Sequence, residues 1–366
     1  MSLQVVEISK SEHEDFLKTQ SNFSFLQLPN WANVKAEWQG KSIGFFDNKK
    51  LIGVGLLLSR VVPKINYSLW YLPEGPVIQE PYLSQVKPWV LGLKEFAKGK
   101  KVFAIKFGPR IVQSIFEKDE IELAIENGVK SFDALRNDNN SVINELVTSG
   151  CRQQNQEAGF GDFQPRFIFI KELADKTDED LLKEFNQLWR RNIKKAENSQ
   201  VKVEVSGIEK LEIFHELYKE TAKRDRFYPR PLNYFKKMFE NLNSDLSEIR
   251  LYLAYQNEIP LAATIWIRVK NRVWYSYGAS ANQGREFKPS NAIQWQMIKD
   301  ARDSGAEVYD FRGISDSLDQ NNHLFGLLRF KLGTGGKAVK YIGEWDLVLN
   351  KFIYKLFMLL LKYRGK

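Results

Sequence analysis

An arginine set among prolines and aromatic residues is the most chemically suggestive feature of the sequence. Residues 226–235 read Arg-Phe-Tyr-Pro-Arg-Pro-Leu-Asn-Tyr-Phe. Pro231 is typical of the first residue of a helix, because its missing N–H costs nothing there. Arg230 would then stand at the helix N-terminus, where free N–H groups favour an anion, with Tyr234 one turn later. The segment suits a phosphorylated ligand, although an ion pair between Arg230 and a nearby carboxylate is an equally open alternative.

Further cations and phenols occur in the sequence, which has none of the usual motifs for a covalent nucleophile or for nucleotide binding. The candidate set is Lys35, Arg230, Tyr234, Tyr277 and Lys331. No Gly-x-Ser-x-Gly elbow, phosphate-binding Walker loop or dinucleotide glycine motif is present. Such a set favours electrostatic stabilisation of a developing oxyanion, with a substrate amine as nucleophile and an already activated ester as donor. Glycines 333, 335 and 336 follow Lys331 and predict a mobile loop or a hairpin turn.

Four cations lie together on one predicted helix. Thr177 followed by acidic residues predicts a helix start, and the same helix should carry Phe185, Leu188, Trp189 and Ile193 to the core. The cations on its outer side are Arg190, Arg191, Lys194 and Lys195. Like charges at this spacing repel, so either an RNA backbone or solvent and counter-ions should offset them.

The overall composition narrows the class of protein. The 366 residues carry 54 Lys and Arg against 45 Asp and Glu, a net charge of +9. The positive charge favours a polyanionic partner, which could be a nucleic acid, a nucleotide-sugar or an acidic membrane surface. Alternatively, the charge serves solubility alone. Cys151 is the single cysteine, and the three histidines lie far apart, so we expect neither a disulfide nor a metal site. No signal peptide is evident at the N-terminus, and we expect a cytoplasmic protein.

An internal duplication predicts the fold. Residues 43–58 and residues 251–266 each read as strand, turn and strand. Each is followed by a strand with a Trp-Tyr pair, a helix (85–97 and 290–303) and an apolar strand ending in glycine. This order resembles the fold of the GNAT N-acetyltransferases and predicts an α/β (α+β) protein of two tandem domains, with mixed sheets flanked by helices.

The predicted domain limits follow from the duplication. The first domain comprises residues 1–163 and 343–366, and the second comprises residues 164–342, with a hinge within 152–164. Near the N-terminus, Asn30 should cap a helix that buries Trp31, Val34 and Trp38. The apolar, basic C-terminal segment is too short to span a membrane. It predicts a helix that packs on the first domain, lies on an anionic leaflet, or does both.

Several motifs together resemble the Fem family of peptidoglycan bridge-forming aminoacyltransferases over nearly the whole chain. They are Trp31-Ala-x-Val-Lys35, Leu72-Pro-Glu-Gly-Pro76, Trp189-Arg-Arg-Asn-Ile-Lys-Lys-Ala196, Arg230-Pro-Leu-Asn-Tyr-Phe235, Trp274-Tyr-Ser-Tyr-Gly278, Asp310-Phe-Arg-Gly-Ile314, and Phe330-Lys331 with Tyr341-Ile-Gly-Glu344. The short connection after the basic helix resembles the FemX-like members that lack a coiled-coil arm.

The resemblance implies a tRNA-dependent transfer of Gly, Ala or Ser to the stem-peptide amine of lipid II or UDP-MurNAc-pentapeptide, without a cofactor or metal. It implies that Lys35 and Arg230 bind the precursor diphosphate and that Tyr234 lines the acceptor site. Tyr277, Phe330 and Lys331 would serve catalysis.

For its partners, the resemblance implies that Arg190, Arg191, Lys194 and Lys195 bind tRNA. We further expect a monomer, with peripheral contact to the inner membrane face. Two alternatives stay open. An acyl-CoA N-acyltransferase is disfavoured because the loop at residues 283–291 lacks the usual pyrophosphate-binding glycines. A non-catalytic RNA- or membrane-binding protein is the other.

Overall fold

The structure, a computed structural model, describes residues 3–63, 66–136, 140–153 and 164–364. The chain divides into two compact units. Unit 1 comprises Met1–Ser114, Asn137–Arg166 and Lys340–Lys366, and unit 2 comprises Ile115–Arg136 and Phe167–Val339. The division predicted from the sequence places residues 115–136 in the first domain, whereas their contacts group them with unit 2. Most of the predicted hinge, residues 154–163, lies outside the described residues.

Strands form the centre of each unit. Within the described residues they are β1 (Gln4–Glu7), β2 (Gln39–Asp47), β3 (Lys50–Val62), β4 (Tyr67–Leu72), β5 (Val77–Ile78), β6 (Val102–Phe107), β7 (Val112–Phe116), β8 (Cys151–Gln153), β9 (Phe167–Glu172), β10 (Lys202–Ser206), β11 (Ser247–Gln256), β12 (Ile259–Val269), β13 (Arg272–Ser280), β14 (Val308–Gly313), β15 (Lys337–Tyr341) and β16 (Trp345–Val348).

Helices cover the sheets. They are α1 (Lys10–Lys18), α2 (Trp31–Val34), α3 (Val86–Phe96), α4 (Lys118–Glu126), α5 (Phe132–Leu135), α6 (Ser141–Thr148), α7 (Asp178–Glu184), α8 (Gln187–Asn198), α9 (Leu211–Asp225), α10 (Leu232–Asn241), α11 (Pro289–Asp303), α12 (Phe325–Leu332) and α13 (Lys351–Arg364). Short 3-10 turns lie at Phe25–Gln27, Ile208–Lys210 and Arg285–Phe287.

Two mixed sheets carry the duplicated order that the sequence predicts. The first runs β1-β2-β3-β4-β6-β16-β8, with β5 beside β3, and the second runs β10-β11-β12-β13-β14-β9-β15-β7. In the first, β4 pairs in parallel with β6 across α3, and in the second, β13 pairs in parallel with β14 across α11. A parallel pair needs such a crossover, because a tight turn can join only antiparallel strands. The tandem acetyltransferase-like fold is therefore confirmed.

Each unit has its own apolar core. In unit 1, Trp89 of α3 packs on Phe107 of β6 with ring centroids 5.2 Å apart. In unit 2, Trp295 of α11 lies 5.6 Å from the ring of Phe185, in a core that also buries Trp266. No coiled-coil arm occurs between residues 164 and 364, because α8 ends at Asn198 and β10 begins at Lys202.

Two helix predictions were wrong in detail. Helix α2 ends at Val34, so Trp38 lies beyond it, and the Asn30 side chain accepts a hydrogen bond from Lys10 rather than capping the helix. The predicted helix from Thr177 is two helices, α7 and α8, separated at Phe185. Leu188, expected in the core, is 47% exposed.

The C-terminal helix packs one side onto unit 1. Tyr354, Ile353 and Phe357 contact the cluster around Phe103 of β6, with the Phe357 and Phe103 rings 5.1 Å apart. This supports the packing alternative and leaves the other side of α13 facing outward. Among the described residues, no helix is both long enough and apolar enough to cross a membrane.

Candidate active site

Lys331 lies in a helix, and its amine is buried. It belongs to the last turn of α12, and 3% of the residue is exposed. Its Nζ donates to the carbonyl oxygen of Gly313 at 2.6 Å and, more weakly, to that of Arg312 at 3.4 Å, at the end of β14. Burial lowers the pKa of Lys331 to about 7, while the Asp310 charge opposes this shift and the Arg312 charge adds to it. Both protonation states are therefore accessible near neutral pH.

Asp310 holds the end of β14 that Lys331 contacts. Its carboxylate is fully buried, accepts a hydrogen bond from the backbone N–H of Arg312 at 2.8 Å and pairs with Arg272 at 3.1 Å. Arg312 has a φ of 63°, a left-handed conformation that is uncommon for a side chain of this size. The Asp310 carboxylate thus fixes the backbone turn whose carbonyl groups bind Lys331. Asp310 and Arg272 were not among the predicted site residues, although Asp310 belongs to one of the motifs that carry the family resemblance.

The glycines after Lys331 allow close packing, and the predicted mobile loop was wrong. A Cβ on Gly333 would lie 2.4 Å from the Trp189 ring, and one on Gly336 would lie 2.1 Å from the Ile170 carbonyl oxygen. The backbone of this turn is also bonded: Asn186 N–H donates to the carbonyl of Gly333 at 2.9 Å. The turn is therefore packed tightly against β9 and α8.

A buried lysine secures the same turn from the other side. Lys171 donates to the carbonyl oxygen of Thr334 at 2.7 Å and to Glu184 at 2.5 Å. Burial lowers the pKa of Lys171 to about 8, although the hydrogen bond and charge of Glu184 oppose the shift. Thr334 in turn donates its hydroxyl to the carbonyl of Lys331 at 2.6 Å.

Phe330 joins α12 to the basic helix. Its ring lies 4.7 Å from that of Trp189, and its carbonyl oxygen accepts a hydrogen bond from Trp189 Nε1 at 2.7 Å. Trp189 itself is buried at the start of α8, which is capped by the Asn186 side chain. The two predicted residues Phe330 and Lys331 are consequently held in one rigid helix.

The two predicted phenols meet in an aromatic cluster. The phenol oxygens of Tyr234 on α10 and Tyr277 on β13 are 3.3 Å apart, and the ring of Phe235 lies 5.2 Å from that of Tyr277. Tyr218 on α9 completes the cluster. Burial raises the pKa of Tyr218 to about 12, with the Tyr277 phenol contributing and Arg230 opposing. Sequence reasoning missed Tyr218, because its position on the apolar side of α9 resembles that of any core residue.

Arg230 stands beside this cluster. Pro231 is the N-cap rather than the first helical residue, so α10 begins at Leu232 and Arg230 immediately precedes its N-terminus. The guanidinium lies over the Tyr234 ring at 5.3 Å, and the Arg230 carbonyl is 3.0 Å from His215 Nε2. Within the described part of the chain its guanidinium has no carboxylate partner. The ion-pair alternative for Arg230 is therefore not observed there, and the anion-binding alternative is favoured.

Lys35 belongs to unit 1. It follows the last turn of α2 and is half-buried, with its Nζ 5.6 Å from the Trp31 ring. Trp31 is anchored in turn by an edge-to-face contact with Phe25 at 5.3 Å. The ammonium group of Lys35 is therefore held beside a buried aromatic pair.

The four predicted RNA-binding cations differ in their contacts. Arg190 donates to carbonyl oxygens at the end of α7. The distance is 2.7 Å to the oxygen of Phe185 and 3.3 Å to those of Leu182 and Lys183. Arg190 therefore caps α7, which ends where α8 begins. Arg191, Lys194 and Lys195 have no ion-pair partner among the described residues, and both lysines are exposed. These three form the free basic surface of α8.

Buried charges also occur in unit 1. Arg110 pairs with Glu74 at 3.1 Å and donates to Tyr341 at 2.7 Å, and Tyr71 donates to Glu344 at 2.6 Å. Burial raises the pKa of Glu344 to about 7, although the charge of a nearby lysine opposes the shift. The cavity among these residues measures about 20 Å³, which is too small for a substrate.

No group of three or more metal-binding side chains occurs among the described residues. The arrangement in unit 2 can offer an ammonium held by carbonyl groups, paired phenols and a guanidinium without a carboxylate partner in the described ranges. Such groups bind anions and stabilise negative charge.

Comparisons with known proteins find relatives over nearly the whole chain. A lipid II:glycine glycyltransferase of Staphylococcus epidermidis is 28% identical over 418 positions, covering 97% of this chain and 95% of the relative. One from Staphylococcus aureus is 27% identical with the same coverage. The crystal structure of FemX superposes with a TM-score of 0.78 at 26% identity, over 96% of this chain and 99% of that one.

A tandem GNAT protein from the clavulanic acid biosynthesis pathway has a TM-score of 0.53 at 8% identity, over 95% of this chain and 98% of that one, and shows the fold alone. The glycyltransferase relatives confirm the predicted enzyme class, an aminoacyltransferase. The FemAB family model matches residues 8–257 and 244–362. The chain belongs to the FemAB family.

Proposed function

We propose that this enzyme transfers glycine from glycyl-tRNA to the stem-peptide amine of lipid II, forming part of a peptidoglycan interpeptide bridge. The observation that carries the proposal is the match, over 97% of the chain, to relatives named lipid II:glycine glycyltransferases. Alanine and serine are the alternative amino acids, and UDP-MurNAc-pentapeptide is the alternative acceptor. The enzyme acts as a monomer at the inner face of the membrane.

Lys35 is a phosphate-binding cation of unit 1. In unit 2, Arg230 binds the diphosphate of the precursor. The guanidinium has no carboxylate partner among the described residues, and it precedes the N-terminus of α10, where backbone N–H groups add positive potential. Tyr234 and Tyr277 offer hydroxyl groups for the polar part of the peptide that carries the acceptor amine.

Lys331 stabilises the charge that forms at the ester carbonyl. The acceptor nitrogen attacks the carbonyl carbon, a C–N bond forms, and the ester C–O bond to the tRNA ribose breaks. The amine loses a proton and the ribose oxygen gains one. An ammonium has three N–H donors, of which two are directed to the carbonyl groups of Gly313 and Arg312, so one is left for the developing oxyanion. Phe330 keeps this helix in place through Trp189.

Arg191, Lys194 and Lys195 bind the tRNA backbone. Contacts to phosphate groups need accessible cations without competing carboxylates. The three side chains on α8 meet this condition, because they are exposed and have no ion-pair partner among the described residues. Arg190 contributes mainly by fixing the junction of α7 and α8.

Reconstitution with defined substrates tests the proposal. Purified protein is incubated with tRNA charged with glycine, alanine or serine and with either lipid II or UDP-MurNAc-pentapeptide, and products are identified by mass. We expect a glycyl adduct on lipid II. An adduct on neither acceptor with any of the three amino acids contradicts the proposed function. An adduct formed from acetyl-CoA instead would favour an acyl-CoA N-acyltransferase.

A further inference from the structure

The outward side of the C-terminal helix is unusually apolar for a helix at a protein surface. Phe352 is 77% exposed, and Leu356, Leu359 and Leu360 are each exposed by more than a third. These positions follow the spacing of one helix face. On the opposite face, Tyr354 and Phe357 pack on unit 1, whereas Met358 and Leu361 are exposed as well. The inward packing therefore does not account for the apolar outer surface.

Charges on this helix have one sign. Helix α13 contains no aspartate or glutamate, and Lys351 and Lys355 are exposed beside the apolar residues. Two copies of the helix packed face to face would bring these lysines together without an acidic partner on either helix. An anionic bilayer instead accepts the apolar side chains and pairs with the lysines.

A cationic groove borders the start of the same helix. Its volume is about 800 Å³, and its lining includes Lys94 of α3, Lys98 and Lys100 in the turn after α3, and Asn350. Asn350 also caps α13, because its side-chain oxygen accepts a hydrogen bond from the N–H of Ile353 at 3.1 Å. The groove and the helix are therefore continuous.

The groove carries an excess of positive charge. Lys98 pairs with Glu95 at 2.8 Å, the one acidic residue among the described residues of the lining. Lys94 and Lys100 have no ion-pair partner in the described ranges, and Lys100 Nζ lies over the Phe96 ring at 3.5 Å. A phosphate group would offset the two remaining charges.

We infer that α13 and this groove form a membrane-docking surface for anionic phospholipids. The outer residues of α13 enter the boundary between headgroups and acyl chains, and Lys94 and Lys100 contact lipid phosphates. The inference deepens the proposed function, because a lipid-linked acceptor lies in the same bilayer. Its test requires no acceptor and no tRNA, so either proposal can fail without the other.

Vesicle flotation tests this surface. The full chain is mixed with vesicles of phosphatidylcholine alone or with added phosphatidylglycerol, at low and high salt. We expect binding to the anionic vesicles that weakens with salt. Combining Phe352→Ser with Leu359→Ser should reduce binding by about tenfold or more, because both side chains leave the bilayer boundary. Leu123→Ser, at an exposed leucine of α4, is the matched control and should bind as the wild type does.

Charge reversal tests the groove. Lys94→Glu with Lys100→Glu should abolish the preference for anionic vesicles, whereas Lys87→Glu, at an exposed lysine outside the groove lining, should keep it. Absence of wild-type binding to anionic vesicles would overturn the inference, as would unchanged binding of the Phe352 and Leu359 variant. The inference also fails if that variant changes a wild-type dimer into a monomer with vesicle binding unaltered, because a second copy is then the occupant.

Discussion

The phenol oxygens of Tyr234 and Tyr277 lie 3.3 Å apart, although 43 residues separate them in the sequence. One belongs to α10 and the other to β13, and Phe235 packs between these elements against Tyr277. Their meeting beside Arg230 gives unit 2 a polar group of defined geometry within an aromatic cluster.

Replacing Arg230 should weaken binding of the precursor. Arg230→Ala removes a guanidinium that has no carboxylate partner among the described residues, so little internal structure should be lost with it. We expect the affinity for UDP-MurNAc-pentapeptide to fall by about 1.5–3 kcal/mol, the range for a charge-assisted contact. Calorimetric titration measures this change. Lys236→Ala on α10, a residue 3.7 Å from Glu212, is the control, and equal affinity of the Arg230 variant and the wild type would refute the assignment.

The cations of α8 should separate into two classes. Arg190→Ala should lower the free energy of unfolding by roughly 1–2 kcal/mol, because the guanidinium caps α7. Arg191→Ala, Lys194→Ala and Lys195→Ala should leave stability unchanged and reduce the salt dependence of tRNA binding by about one unit of slope for each cation–phosphate pair removed. Urea unfolding and binding titrations at several salt concentrations measure the two effects. Identical behaviour of all four variants would contradict this division.

Lys331 should make the free energy of unfolding depend on pH above neutrality. Its folded pKa of about 7 lies below the ordinary value of 10.5, so the unfolded chain binds more protons between these values. The free energy of unfolding should therefore rise with pH in this range, and the Lys331 contribution to the rise between pH 7 and pH 9 is about 2 kcal/mol. Lys331→Met should remove that contribution. Urea unfolding of both proteins at the two pH values measures it, and parallel curves would show that the amine is not desolvated.

Glu344 should have the opposite effect at lower pH. Its folded pKa of about 7 lies above the ordinary value of 4.5, so the folded protein binds the extra proton and loses stability as pH rises through this window. Glu344→Gln keeps an acceptor for Tyr71 and removes the titration. We expect the variant to lose about 2 kcal/mol less than the wild type between pH 5.5 and pH 8. Glu126→Gln, at the end of α4, is the control, and a wild-type slope in the Glu344 variant would disprove the raised pKa.

Local patterns in the sequence are sufficient to predict the duplicated core. Strands β2–β4 and β11–β13 alternate with clear turns, and the helices α3 and α11 have the periodicity of one buried face. The failures have tertiary causes. The break between α7 and α8 at Phe185 is stabilised by Arg190, and no local signal predicts the hydrogen bond from Arg190 to the Phe185 carbonyl.

For the candidate site, the sequence offers residues but not their geometry. Family resemblance identifies Lys331, yet only the fold shows its amine buried against Gly313. The glycines after Lys331 suggest a mobile segment when only the sequence is known. In the fold, Trp189 and Ile170 pack against them, and no local pattern reveals these contacts. The role of Asp310 is not evident from its position in the chain, since its bond to the backbone of Arg312 depends on a left-handed turn.

Transfer of labelled glycine from glycyl-tRNA to lipid II tests the central claim most directly. The proposal predicts that the wild type forms labelled lipid II. With saturating acceptor, Lys331→Ala should slow transfer by about a hundredfold or more, as expected for the loss of an oxyanion-stabilising donor. Arg230→Ala should instead need more acceptor for the same rate. No label on lipid II with the wild-type protein, or an unchanged rate in the Lys331 variant, would contradict the account.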